Sequence, residues 1–265
     1  MAPVMIFAFG PEDSFVFWCS TKLITHRACP AFATTVSARL GTPYSLTLGP
    51  GENEYAAVYL NKETNSIWRS LNYAKDTHLY GITNILFAKN DGPSHPSEER
   101  ISIGGPSSDK SSQHTYIVVK GGVVYLPPSK TTPLPASLTA TLDNEKRLKK
   151  PVRDVVLGHG GAWFLQYTDG TYKFDFAGRY QELEQILQSD VPDIQHLSLS
   201  RCSAEHFFLA YAGCKKVRYS MKAAFEGMIV PLIREYYASC KTVSGAVDGD
   251  TGVEAKPGEL PPPYT

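Results

Sequence analysis

Two sets of thiol and imidazole side chains are the first candidates for chemistry. Cys19, His26 and Cys29, and again Cys202, His206 and Cys214, carry ligand types that zinc accepts. Neither set has the close pairs of a finger or ribbon, and on extended strands several of these residues would point to opposite faces. They are read as buried thiols and turn histidines, with no metal. His159-Gly160-Gly161 has the composition of a hydrolase oxyanion loop, but no G-x-S-x-G elbow accompanies it, so it is read as a Gly-rich turn. Acid and base work needs two carboxylates held in different environments. Glu182/Glu184 and Asp190/Asp193 fall instead on a solvated helix face and a loop, and "RLKK" (147–150) is balanced by Asp143 and Glu145. No catalytic residue and no cofactor motif is read.

Binding chemistry is better represented. Trp18, Trp68, Trp163 and Tyr167 recur near second and third strands, where flat aromatic faces would stack on a sugar. Strands also use such rings for packing. From about Lys241 the chain is small, polar and turn-rich, and it is expected to be a disordered tail over 241–265. Near its end stand Pro261-Pro262-Pro263-Tyr264, the P-P-x-Y wording that WW domains bind. The prolines pre-set a polyproline II helix, so docking loses little entropy. A flexible tail of ~20 residues would reach roughly 25 Å. The expected partner is a WW-domain protein, a ubiquitin ligase being one such class.

These residues must be held by a repeated element. "MIFAFGPEDSFVFW", "SLTLGPGENEYAAVYL", "ISIGGPSSDKSSQHTYIVV", "VVLGHGGAWFLQY" and "LSLSRCSAEHFFLAY" each read as a strand, a turn and a second strand. Aligning Phe7, Leu46, Ser102, Val156 and Ser198 gives a spacing in the range of sheet repeats. A third strand follows in each copy, entered through Asp169-Gly170 in the fourth and Gly121-Gly122 in the third. "KNDGPSHPSEE" (89–99) and "PPSKTTPLP" (127–135) are loops inserted in the repeat. Helix-leaning stretches follow at 29–41, 135–148, 180–188 and 221–238, the last expected to kink or shorten at Gly227 and Pro231.

The chain has 265 residues, with Lys+Arg 26 against Asp+Glu 26 and a formal charge of zero. That balance disfavours nucleic acid as a partner, because a duplex binder needs a basic face. No run of about 18 apolar residues points to a membrane, and the N-terminus lacks a signal-peptide pattern. With five cysteines, an odd number without close pairing, the chain is expected to be cytoplasmic with reduced thiols.

"VRDVVLGHGGAWFLQYTDGTYKFDF" (152–176) resembles the regulator-of-chromosome-condensation type of propeller repeat, with Gly158, His159, Asp169 and Gly170 in comparable places. The closing Trp-Gly of that family is replaced by "FDFAG". The stretch also resembles the "LGPxGxW…YxDG" wording of uncharacterised fungal repeat proteins. The resemblance implies a propeller-like fold. The expected architecture is mainly β with short helices: five propeller-like units at about 4–42, 43–99, 100–151, 152–193 and 194–240, then the tail. The expected function is a non-enzymatic scaffold read by WW domains, with a carbohydrate-binding, lectin-like propeller as the alternative and an enzyme as a third reading.

Overall fold

In the computed structural model the residues described are 5–19, 22–28, 30–36, 39–49, 53–73, 80–87, 98–104, 115–126, 134–189, 193–214 and 216–244. They form five three-stranded antiparallel sheets, each a meander of consecutive strands. The first contains β1 (Met5–Phe9), β2 (Phe15–Cys19) and β3 (Lys22–His26). The second contains β4 (Leu40–Leu48), β5 (Tyr55–Asn61) and β6 (Ile67–Asn72). The third contains β7 (Glu99–Ile103), β8 (Tyr116–Lys120) and β9 (Val123–Tyr125). The fourth contains β10 (Val152–Leu157), β11 (Trp163–Tyr167) and β12 (Tyr172–Asp175). The fifth contains β13 (Ile194–Leu199), β14 (Phe207–Tyr211) and β15 (Val217–Ser220). A helix follows each sheet: α1 (Pro30–Thr35), α2 (Tyr80–Leu86), α3 (Ala136–Leu148), α4 (Gln181–Ser189) and α5 (Ala223–Ser244).

Middle strands such as "FVFWC" and "FFLAY" are apolar without alternation because they are buried along their whole length. Successive side chains point to opposite faces of a strand, so full burial requires a neighbour on each side. The core accordingly divides into five clusters, each made from two sheets and a helix. Ile6, Ala8, Val16 and Trp18 meet Leu48, Ala57 and Tyr59, with Phe32 of α1 and Val36 just after it completing the cluster. Ala56 and Val58 meet Ile101 and Tyr116 beside Ile82 of α2. Ile117 and Val119 meet Val155 and Leu165 beside Leu138 of α3. Phe164 meets Leu197 and Phe207 beside Leu183 of α4. In the fifth cluster Phe208 and Ala210 of the last sheet meet Phe7, Phe15 and Phe17 of the first, beside Phe225, Ile229 and Ile233 of α5.

The approach of one sheet to the next is set by glycine at the end of the first strand. A Cβ on Gly10, Gly104 or Gly158 would lie 2.8, 3.0 or 3.0 Å from Cδ1 of Leu48, Leu157 or Leu199 respectively. Each of these leucines ends the first strand of the following sheet. Gly158 has an ordinary extended backbone (φ −116°), so space for the neighbour, not backbone freedom, selects glycine there.

Several expectations need correction. The first strands align as Phe7, Leu46, Ile101, Val155 and Leu197, each three residues before the turn; the sequence alignment slipped by one residue in the last three copies. A slip of one exchanges the two faces of a strand. In the fourth hairpin only Gly170 has positive φ (85°), and Asp169 instead uses its carboxylate to accept from the N–H and hydroxyl of Thr171. α5 continues unbroken from Ala223 to Ser244 through Pro231. α2 had no counterpart among the helix-leaning stretches. Cys240 is disulfide-bonded, against the expectation of reduced thiols, whereas Cys19 and Cys202 form no disulfide.

Glycine packing gives an opposed pair of predictions. Gly158→Ala should cost about 1–3 kcal/mol by forcing Leu199 and Tyr180 aside. Gly227→Ala, in α5 with nothing within 4 Å of the added methyl, should be neutral or stabilising by up to ~1 kcal/mol. Urea midpoints of the two variants, at unchanged slope, check this.

Candidate functional site

The first strands of all five sheets line one narrow cavity of about 50 Å³. This is room for a few waters or one small ion rather than a drug-sized ligand. Side chains at alternate positions of a strand share a face, so two layers repeat around the cavity. The layer two residues before the turn holds Ala8, Thr47, Ser102, Val156 and Ser198, which are small. The layer four residues before it holds Ile6, Ser45, Arg100, Asp154 and His196, which are chiefly polar or charged. Arg201 joins them just past the turn of the last sheet.

Each first strand is an edge strand, paired on one side only, and its other side leaves backbone N–H groups without ladder partners. Neighbouring side chains fill that role. Ser45 Oγ accepts from Ile101 N–H at 2.9 Å, and Ser102 Oγ accepts from Leu157 N–H at 2.9 Å. His196 Nε2 stands 3.0 Å from the nitrogen and 2.8 Å from the carbonyl oxygen of Phe7; it accepts or donates according to its tautomer. Around the turns, Tyr180 donates to the carbonyl of Ser200 and accepts from His159 N–H, while His159 Nδ1 lies 2.8 Å from the carbonyl of Arg201. Arg201 donates to the Gly49 carbonyl at 2.7 Å, linking the fifth sheet to the second.

Burial governs the electrostatics of this cavity. Removal from water pushes the His196 imidazole down to about 4, and Arg100 and Arg153 add to that while the Phe7 backbone opposes it. The ring is therefore neutral near pH 7. Burial raises the Asp154 carboxyl, with Arg100, Arg153 and the Val155 backbone pulling the other way. Burial also lowers the Arg201 guanidinium to about 10, against the pull of Cys202 and Glu54. No salt bridge joins Asp154 to an arginine among the described residues.

The residues singled out for stacking are not gathered here. Trp18, Trp163 and Tyr167 are only 5%, 3% and 1% exposed and belong to clusters between sheets. Their faces are covered, and Trp163 Nε1 donates to Ser137 Oγ at 3.0 Å, tying β11 to α3. Trp68 is half-buried with the Arg39 guanidinium 5.3 Å over its ring. Pro261, Pro262, Pro263 and Tyr264 lie outside the described residues. The Gly-rich stretch at His159–Gly161 is a tight turn, with Gly160 and Gly161 at positive φ. Among the described residues no three of His, Cys, Asp and Glu gather as a metal site; Cys29 and the Cys214 side chain fall outside them. No described helix is long and apolar enough to cross a membrane.

The charged residues around the cavity were missed because Arg100, Asp154 and His196 stand far apart in sequence, on three different strands, and Arg100 and Asp154 each sit beside an opposite charge, Glu99 and Arg153, that makes them read as ordinary surface pairs. Counting back four residues from the turn in every copy would have put them in one column. Comparisons with family models, with curated proteins and with solved structures found no match to this chain.

His196 yields a pH prediction. Its folded pKa is depressed below the ordinary value near 6.5, so between about 6.5 and 4 the unfolded chain binds more protons and stability falls as pH drops. The raised Asp154 acts in the opposite sense at the acid end. Urea unfolding followed from pH 7 to pH 5 should therefore show a loss that His196→Gln flattens; an unchanged slope in that variant would contradict the assignment.

Proposed function

We propose that the chain is a five-bladed β-propeller acting as a non-enzymatic binding scaffold, recruited to WW-domain proteins by Pro261-Pro262-Pro263-Tyr264. The observation that carries the architectural half is the cluster in which Phe208 of the last sheet packs on Phe7 and Phe17 of the first. The other four clusters join consecutive sheets, so this contact makes the order of neighbours cyclic. Wedging α5 into that junction takes the place of a shared closing strand. The helix bonds to both partners: its Leu232 carbonyl accepts from Cys19 Sγ at 3.3 Å, and its Tyr236 hydroxyl donates to Gln195 at 3.0 Å.

The binding half of the reading rests on the sequence beyond α5. Residues 245–260, 16 in number, separate Ser244 from Pro261, and a chain of that length would span roughly 20–24 Å if flexible. That reach lets a WW domain dock without displacing the clusters that hold the sheets together. The lectin-like alternative is left with Trp68 alone among the four stacking candidates, and no observation favours it over scaffolding.

Titration of the full chain with an isolated WW domain that reads P-P-x-Y should give saturable binding. Deleting residues 261–265 or substituting Tyr264→Ala should weaken it at least about tenfold, since the tyrosine fills a pocket of its own. Undiminished binding after the deletion would remove the proposal.

A further inference from the structure

The shared cavity carries more positive charge than its walls neutralise. Arg100, Asp154, His196 and Arg201 line it, and Arg153 is near enough to act on both Asp154 and His196. With Glu54 acting on Arg201, three guanidinium groups face two carboxylates and a neutral imidazole. Guanidinium groups do not shed their protons near neutral pH, so that excess persists. A charge held away from bulk water without a counter-charge is costly.

The donor count points the same way. Arg100 donates through Nη1 to the Glu99 carbonyl at 2.8 Å, Arg153 through Nη1 to the Ile194 carbonyl at 3.3 Å, and Arg201 through Nη2 to the Gly49 carbonyl. Most N–H groups of each fork thus have no partner among the described residues. None of these nitrogens is both sealed from solvent and unbonded among the described residues. Hydroxyls of Thr47 and Ser198 on the same cavity wall add neutral donors.

We propose that the cavity is a binding site for a small monovalent oxyanion, of carboxylate or nitrate size, held by the lining residues Arg100 and Arg201, with Arg153 contributing charge only, and excluded from direct contact with Asp154. Size follows from the cavity of about 50 Å³, which fits formate, nitrate or acetate and not a ring-bearing acid. Charge follows from the single uncompensated guanidinium. Planar forks match planar oxyanions, which sets these above chloride. Because the guest touches several first strands at once, it stabilises the folded chain by mass action.

The test measures thermal unfolding of the full chain against sodium formate, sodium nitrate, sodium chloride and sodium benzoate at one constant sodium concentration. Formate and nitrate should raise the midpoint saturably, with chloride weaker and benzoate without effect. Arg100→Gln should raise the half-saturating formate concentration at least about tenfold, and Asp154→Asn should lower it by a similar factor, because one removes an attracting charge and the other a repelling one. Equal responses in all three proteins, or equal effects of all four salts, would overturn the site. If Arg100→Gln does not fold, size selection in the unaltered protein decides: formate and benzoate acting alike would refute it.

Discussion

Leu157 resting where Gly104 lacks a side chain, and Leu199 where Gly158 lacks one, fix how closely one sheet approaches the next. That distance lets "YIVVK" and "FFLAY" bury both faces, and a lone three-stranded meander would leave one of them in water. Stability is therefore a property of junctions, and each junction is completed by the helix that follows the sheet. Apolar residues at helical spacing on α4 (Leu183, Ile186 and Leu187) fill the gap behind the fourth and fifth sheets. Salt bridges trim these joints: Arg69 and Glu99 link the second sheet to the third, and Lys173 and Glu145 link β12 to α3 at 2.7 Å.

Edge strands brought together pose a second problem, since their outward backbone groups cannot pair with one another. Hydroxyls at Ser45 and Ser102 and the imidazole of His196 answer it by reaching across to the next strand. Polar side chains at these positions are thus structural first. Arg100, Asp154 and Arg201 go further than backbone satisfaction requires, and the cavity they share is where an additional role concentrates.

Much of the architecture was legible because the turns repeat. Gly10, Gly49, Gly104 and Gly158 mark the first turn in four copies, and Asp169-Gly170 and Gly121-Gly122 mark later hairpins. α4 was readable from its apolar face. The register was readable in two copies, where Ile101-Ser102-Ile103 and Leu197-Ser198-Leu199 alternate large apolar and small polar residues, but not in the fourth, where Val155 and Val156 are identical and nothing betrays a slip of one. α2, at only Tyr80–Leu86, is too short for its period to show. Trp18, Trp163 and Tyr167 misled because an aromatic that packs between sheets and one that stacks on a ligand have the same local sequence. Burial alone separates them.

The proposed closed order of sheets is tested most directly by native-state hydrogen exchange. A cycle has no end to fray, so the slowest amides of β1, β7 and β13 should open with one common free energy equal to that of global unfolding. A gradient, with β1 and β13 opening well before β7, would mean that the first and last sheets are free ends and would contradict the account.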